Sequence, residues 1–490
     1  MVFNSLEFLL FLPIVVILYY VLPQKLKIPL LLVGSYFFYA FYSLKLSVFL
    51  VVFTLVTYAI GIKIAASEGS TKKAFLAVGV VAQTLTLALY KYTKFFLQTF
   101  SSEEVKFDLL VPLGISFITF SGISYLIDVY RGKIAVEKRI IHFALYMAFF
   151  AKVVQGPIIK YGDIVSQFDE EHHWDDTNFR AGTLQVLYGL FMKMVIADRL
   201  AVAVNTVYGS ASEYAGATLL FATMLFSLQI YFDFAGYSLV ALGSARLLGY
   251  TFADNFRQPY LSSSVGEFWR RWHISLNKWL TDYIYIPLGG SRCAPFHRDV
   301  NTLITFGLSG LWHGADWGYV IWGLLNGLYI VIEKHISSIT SRFTKKDGEA
   351  PAAPAPKKSS SFGQVVTFIL ISFSWIFFRA QSLTLSKTII TRIFKNFNLL
   401  GFMQYMKDCL TAEEPAYLGI TAYSWTILII CFVVSWIVDI ALQKWNLVEK
   451  FPNSSLPIRW VVYLVLIFAV IMFGMYGYGY SASAFIYAQF

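Results

Sequence analysis

Residues 217–249 read ATLLFATMLFSLQIYFDFAGYSLVALGSARLLG, an apolar run with a single acid, Asp233, near its middle. The run is long enough to cross the ~30 Å hydrocarbon core of a bilayer as a helix. An ionisable residue inside such a span is costly, so Asp233 is a candidate functional residue. It could orient a histidine or line a pocket. The structural alternative is a hydrogen bond between helices.

Similar apolar segments recur along the whole chain and predict about ten to twelve transmembrane helices. The other segments are 6–22, 28–44, 46–65, 74–98, 109–128, 140–158, 181–207, 301–335 (one or two spans), 362–379, 416–441 and 458–480. The sequence therefore predicts an all-α polytopic membrane protein.

Composition agrees with this fold class. Of the 490 residues, 57% are hydrophobic and 14% charged, with a mean hydropathy of +0.61, whereas soluble domains carry about 25% charged residues. Three cysteines exclude a disulfide-rich scaffold. The net charge of +10 is typical of cytoplasmic loops that face anionic lipid, so we expect a membrane-lipid partner and no nucleic acid.

The basic loops predict the orientation of the chain. They follow the first, third and fifth apolar segments, which alternation places on one side of the membrane, and they hold Lys25 and Lys27, Lys63 with Lys72 and Lys73, and Arg131 through Arg139. Because positive loops stay in the cytoplasm, we expect the N-terminus outside.

Three regions follow from the polar stretches. Residues 341–361 are basic and rich in Ala and Pro, which predicts a flexible cytoplasmic linker. It would separate a catalytic transmembrane core, 1–340, from C-terminal transmembrane helices, 362–490. Residues 251–298 are semi-apolar but carry many charges, and we expect re-entrant or amphipathic helices that line a cavity.

Two histidines are candidates for chemistry. His313 lies among glycines in Gly307-Leu-Ser-Gly-Leu-Trp-His-Gly-Ala-Asp-Trp317, and a histidine there could take a proton from a hydroxyl. His273 follows the aromatic and basic residues of Glu267-Phe-Trp-Arg-Arg-Trp-His273. A packing role is the alternative for both. We expect residues 267–280 to form one helix, with Trp269 and Trp279 at headgroup depth.

Two other groups of polar residues are weaker indicators of a functional site than the two histidines. The acidic stretch 169–176 has ligand-type residues but no metal-site spacing, so we expect a solvated loop and no metal. Arg270, Arg271 or Lys278 could contact donor phosphates, or could instead snorkel to the interface. From the residues alone, an intramembrane group transferase and a transporter both remain possible. The chain shows no internal repeat of the transporter type.

Five motifs carry a resemblance to the membrane-bound O-acyltransferase (MBOAT) family. They are Tyr231-Phe-Asp-Phe-Ala-Gly-Tyr-Ser238, Asn255-Phe-Arg-Gln-Pro-Tyr260, Glu267–His273, Tyr285-Ile-Pro-Leu-Gly-Gly290 and Gly310-Leu-Trp-His-Gly-Ala315. Pro112–Phe117, Ser124–Tyr130, Gln155–Ile158 and Phe485–Phe490 also fit. The series resembles the branch of alginate and peptidoglycan O-acetyltransferases, and the teichoic-acid D-alanyl transfer branch is the nearest alternative. Ser238–Gly243 lacks the aspartate expected after the Tyr-Ser pair, which shifts attention to Asp233.

The resemblance implies the fold, the reaction and the site. It implies helices around a central funnel, with His313 as general base or acyl-transfer residue and His273 as its partner. Acetyl-CoA is the expected donor, as a substrate and not a bound cofactor. The expected acceptor is an extracytoplasmic polysaccharide or an SGNH-type partner protein, in a bacterial cytoplasmic membrane. Candidates for the substrate pocket are Asp233, Tyr237, Trp312, Arg270, Arg271, Asn277 and Asp316.

Overall fold

The structure, a computed structural model, describes residues 1–100, 110–154, 156–344, 360–411, 418–445 and 447–476. In these ranges six helices are long and apolar enough to cross a membrane, and two shorter apolar helices accompany them. The predicted all-α polytopic membrane fold is confirmed. The total of ten to twelve spans stays a prediction. Most of the predicted linker, Gln155 and the motif Phe485–Phe490 lie outside the described residues.

The N-terminal part consists of helices that pack on one another in sequence order. They are α1 (Leu6–Val21), α2 (Gln24–Ala40), α3 (Leu44–Ala65), α4 (Gly69–Lys91), the short α5 (Thr93–Phe100) and α6 (Ile115–Tyr130). The first five predicted spans correspond to α1, α2, α3, α4 and α6. Each packs on the next in this series. Apolar side chains such as Val52, Val56 and Leu85 are exposed, as expected of surfaces that face lipid.

Two segments that the sequence predicts as continuous spans are interrupted. The first is divided at Phe149, whose extended ψ of 117° separates α7 (Ile140–Ala148) from α8 (Phe150–Val153). After α9 (Tyr161–Asp169), the second begins as α10 (Asp176–Leu190), becomes a π-helix at Phe191–Ala197 and continues as α11 (Asp198–Gly209). A π-helix adds one residue to a turn, and such bulges are frequent at functional sites.

The chain forms two compact units that interleave along the sequence. Unit 1 contains residues 1–195, 232–254 and 444 onward, and unit 2 contains 196–231 and 255–443. The long helix α12 (Gly216–Leu247) supplies its first half to unit 2 and its second half to unit 1.

Unit 2 carries residues 255–298 of the charged segment 251–298, and residues 251–254 belong to unit 1. The segment is built from α13 (Val265–Arg271), α14 (Ile274–Leu280), a 3-10 turn at Pro259–Leu261, a π turn at Thr281–Tyr285 and the start of α15 (Pro295–His313). The remaining helices are α16 (Trp317–Thr344), α17 (Ser361–Ala380), α18 (Leu383–Lys395), α19 (Leu399–Thr411) and α20 (Ala422–Trp445), with α21 (Leu447–Lys450) and α22 (Leu456–Phe473) in unit 1.

The prediction of one helix over 267–280 is wrong. The chain leaves the helical conformation at Trp272 and His273, which separate α13 from α14. Trp269 and Trp279 are buried within the protein, and their placement at headgroup depth stays a prediction. The Trp269 Nε1–H donates to Asn326 Oδ1 at 3.2 Å. Trp269 therefore fastens α13 to α16.

Candidate functional site

His313 is the last residue of α15, and close packing against α16 fixes its position. A Cβ on Gly310 would lie 2.1 Å from the Tyr319 carbonyl oxygen, and a Cβ on Gly323 would lie 2.2 Å from that of Phe306. Only glycine allows two helices to approach this closely. α15 and α16 therefore pack tightly at the end of α15 that carries His313.

Aromatic rings surround His313. Its ring centroid lies 4.8 Å from Trp312, 5.1 Å from Trp322 and 5.4 Å from Phe378. All three contacts are edge-on, and the histidine is 3% exposed. A water-poor environment of this kind strengthens electrostatic interactions and protects a reactive acyl donor from hydrolysis.

His273 lies 6.5 Å from His313, measured between ring centroids. It is buried, and its backbone is left-handed, with φ 43° and ψ 54°. Such a conformation is uncommon for a residue with a Cβ and marks strain that the surroundings must hold. The break between α13 and α14 thus turns the His273 ring towards the His313 pocket.

Asn255 holds this turn from the neighbouring segment. Its carbonyl accepts the Ile274 N–H at 2.9 Å, and its Oδ1 accepts the Ser275 N–H and hydroxyl at 3.2 and 2.9 Å. The same Oδ1 lies 3.2 Å from His273 Nδ1. Sequence reasoning quoted Asn255 within a motif but did not assign it to the site. A polar residue in a mostly apolar segment was the available signal.

The hydrogen bonds of Asn255 indicate the tautomer of His273. Because Oδ1 accepts from the Ser275 N–H, it is the oxygen of the amide and not its nitrogen. His273 Nδ1 therefore carries a hydrogen in a bond to Oδ1, which leaves Nε2 of the neutral ring as an acceptor. The site thus brings together two histidines, one of which has an assigned accepting nitrogen.

A glutamate on α16 anchors the start of α13. Glu333 accepts the N–H groups of Val265 and Gly266 at 3.0 and 2.9 Å. Ser264 caps the same helix by accepting the Glu267 N–H. These bonds satisfy backbone donors that a helix N-terminus leaves unpaired. The segment that carries His273 is therefore fixed at both ends.

Three further residues that were predicted for the pocket have different roles in the structure. Trp312 contacts both, with its ring 6.0 Å from that of His273. Asn277 Nδ2 donates to the carbonyls of Trp269 and Trp272 at 2.6 and 2.7 Å, so it stabilises the turn. Asp316 precedes α16 and accepts the Gly318 N–H at 2.6 Å, as an N-cap does.

The two arginines of α13 differ in environment. Arg270 is exposed. Arg271 forms an ion pair with Glu267 at 2.6 Å, one turn earlier in the helix. Arg270 therefore has the more accessible charge of the two.

Asp233 and Tyr237 belong to unit 1, where Asp233 pairs with a lysine that sequence reasoning missed. Lys193 Nζ lies 2.6 Å from Asp233 Oδ1, and both side chains are at most 3% exposed. Lys193 also lies over the Tyr237 ring at 5.3 Å, and the Tyr237 hydroxyl donates to Asn4 Oδ1. The structural alternative for Asp233, a contact between helices, is thus observed as an ion pair. Lys193 was visible in the sequence as a cation within the apolar segment 181–207.

Comparison with known proteins agrees with the family that the sequence motifs resemble, over most of the chain. The family whose model matches residues 31–371 is described as MBOAT, the membrane-bound O-acyltransferase family. The chain is 38% identical over 394 residues to a probable alginate O-acetylase AlgI of Pseudomonas putida, covering 78% of each protein. It is 31% identical over 420 residues to a peptidoglycan O-acetyltransferase of Helicobacter pylori, again covering 78% of each. A teichoic acid D-alanyltransferase of Bacillus subtilis is 24% identical over 315 residues, which cover 62% of this chain and 77% of that protein.

Proposed function

Because the chain belongs to the membrane-bound O-acyltransferase family and is a membrane O-acetyltransferase, we propose that His313 and His273 form its acyl-transfer site. The observation that carries this assignment is the pair of buried imidazoles, 6.5 Å apart between ring centroids. The His313 ring packs against aromatic rings, one of which is Trp322. Asn255 holds His273 in a strained turn.

In the proposed reaction the acceptor attacks the donor directly, so the protein must supply a proton acceptor and forms no covalent acyl intermediate. A hydroxyl oxygen of the acceptor attacks the thioester carbonyl carbon, a C–O bond forms, and the C–S bond breaks. His313 takes the hydroxyl proton during attack and returns it to the leaving thiolate. Nε2 of His273, the accepting nitrogen of the assigned tautomer, would orient the hydroxyl or hold the proton between these steps.

The donor in this proposal is acetyl-CoA, a water-soluble thioester whose phosphates stay at the cytoplasmic surface. Arg270 is exposed and has the charge to contact such phosphates. Arg271 is already paired with Glu267, so we assign it to the stability of α13. The acetyl group itself would enter the apolar surroundings of His313.

The proposed orientation places acceptor and donor on opposite sides of the membrane. The basic linker that follows α16 is cytoplasmic and the N-terminus is outside, in the cytoplasmic membrane of a bacterium. α15 and α16 are antiparallel neighbours, so His313 lies at the end of the pair opposite to the linker. An extracytoplasmic polysaccharide, or an SGNH-type partner protein that passes the group on, would approach from that end.

Mass spectrometry of envelope and secreted polysaccharides tests the function. A deletion strain should lose O-acetyl groups, and the wild-type gene should restore them. The purified chain, reconstituted in lipid, should release free thiol from acetyl-CoA when acceptor is present. Loss of D-alanyl esters with acetyl groups retained would contradict the proposal and favour D-alanyl transfer from a carrier protein.

A further inference from the structure

Trp322 of α16 is a direct neighbour of His313. Its ring centroid lies 5.1 Å from that of His313, with the two planes at 84°, and its side chain is fully buried. The same ring stacks on Trp375 at 5.3 Å and meets Phe378 edge-on at 5.0 Å. All four residues belong to unit 2. Packing on several sides therefore fixes the Trp322 indole beside the imidazole.

Among the residues that the structure describes, none accepts a hydrogen bond from the buried indole N–H of Trp322. Trp269, whose ring centroid lies 5.5 Å away, differs because its N–H donates to Asn326 Oδ1. The rings around Trp322 offer only weak acceptors. A buried donor without a partner costs stability, so its presence in a folded protein requires an explanation. A ligand with an acceptor atom, bound beside His313, would supply the missing partner.

The proposed reaction creates such an acceptor. When the hydroxyl oxygen bonds to the thioester carbon, an electron pair of the C=O double bond moves to the carbonyl oxygen, which becomes negatively charged. Donors placed at that oxygen usually contribute the largest single part of the rate enhancement. His313 is assigned to the hydroxyl proton, and the Nδ1–H of His273 is bonded to Asn255. An indole suits the remaining task, because its N–H only donates and cannot take up the proton.

We propose that the Trp322 Nε1–H donates a hydrogen bond to the carbonyl oxygen of the bound acetyl thioester and stabilises the oxyanion that forms on attack. The indole keeps its proton throughout. When the oxyanion collapses, the C=O bond re-forms, the C–S bond breaks, and the leaving thiolate takes the proton that His313 holds. The inference rests on the proposed function, because it places the acetyl group beside His313. It makes Trp322 a catalytic residue whose N–H acts on kcat more than on KM.

Thiol release from acetyl-CoA by the purified full chain, reconstituted in lipid, tests the assignment. The acceptor in the assay is polysaccharide isolated from the deletion strain, which lacks the acetyl groups that this protein adds. Trp322→Phe keeps an aromatic ring but removes the N–H. It should lower kcat about 10²-fold and leave the KM for acetyl-CoA nearly unchanged.

An isosteric replacement separates the N–H from packing, because phenylalanine is smaller than tryptophan. Benzothienylalanine, incorporated in place of Trp322, has sulfur where the indole has its N–H and otherwise keeps the shape of the ring. This protein should show the same loss of about 10²-fold in kcat. Its unfolding temperature should be at least that of the wild type, because no hydrogen bond among the described residues is lost.

Trp425→Phe is the matched control. Trp425 of α20 is also buried in unit 2, and its Nε1 likewise has no acceptor within the described part of the chain. Its ring lies 6.0 Å from that of Phe221. Trp425→Phe removes an indole N–H of the same kind from a different environment, so it should keep the wild-type kcat.

Three outcomes would overturn the inference. They are a wild-type kcat in the benzothienylalanine protein, an equal loss of kcat in Trp425→Phe, and a lower unfolding temperature of the benzothienylalanine protein, which would indicate a structural bond. Each of them leaves acetyl transfer by the wild-type protein intact and refutes this inference alone. Absence of thiol release from the wild-type protein would instead refute the proposed function.

Discussion

At the scale of single residues, the backbone of His273 distinguishes a chemical role from a structural one. A left-handed conformation costs a residue with a Cβ roughly 1–2 kcal/mol, and glycine avoids that cost. We therefore predict that His273→Gly is more stable than His273→Ala by about 1 kcal/mol, while both lose acetyl transfer. Thermal unfolding in detergent and the transfer assay measure the two effects. Equal stability would argue against backbone strain, and transfer by His273→Gly would remove the imidazole from the mechanism.

The residue types of the site could be read from the sequence, but their partners could not. His313 and His273 were identified because histidines are rare in apolar surroundings. Asn255 contacts His273 at the turn between α13 and α14. The sequence did not reveal this contact, because its periodicity predicts a continuous helix there. Lys193 and Asp233 are forty positions apart, and their pairing depends on helix register, which the π-helix at Phe191–Ala197 shifts.

At the scale of elements, the contact between α10 and α12 in unit 1 depends on paired glycines. A Cβ on Gly189 would lie 2.5 Å from the Gly236 carbonyl oxygen, and one on Gly236 would lie 2.8 Å from that of Gly189. Backbone atoms cannot move aside as the end of a flexible side chain does. The close approach lies one turn from both members of the buried Lys193–Asp233 pair, so separating the helices would disturb it.

Gly189→Ala should therefore lower stability by about 1–3 kcal/mol, the usual cost of overpacking a core. The matched control is Gly209→Ala in α11, where a Cβ would meet nothing within 4 Å. Thermal unfolding of both variants in the same detergent measures the difference. Equal unfolding temperatures would contradict the close contact.

Helices with a uniform apolar pattern were predicted well, and those with local breaks were not. α1 to α4 and α6 follow from hydropathy because short polar loops bound each run. The break at Phe149 and the turn at His273 arise where tertiary packing overrides local propensity. No change of composition marks either position, so a single sequence could not reveal them.

At the scale of the whole molecule, the distribution of basic residues predicts the orientation. The loop that contains Gly132 and the linker 341–361 should both face the cytoplasm, with Met1 outside. The side of the membrane on which each of the three positions lies can be measured with inserted reporters that are active on only one side. Cytoplasmic signals from the loop and the linker, but not from the N-terminus, are expected. Opposite signals from the loop and the linker would refute the proposed direction of acyl transfer.

The central claim is that His313 takes the proton of the acceptor hydroxyl during acyl transfer. The most direct measurement is the O-acetyl content of polysaccharide from a deletion strain that expresses His313→Ala at the wild-type membrane level. His335→Ala is the matched control, because His335 is an exposed histidine of unit 2 that pairs with Asp299. We predict that acetylation is abolished in His313→Ala and normal in His335→Ala. Normal acetylation in His313→Ala would contradict the claim.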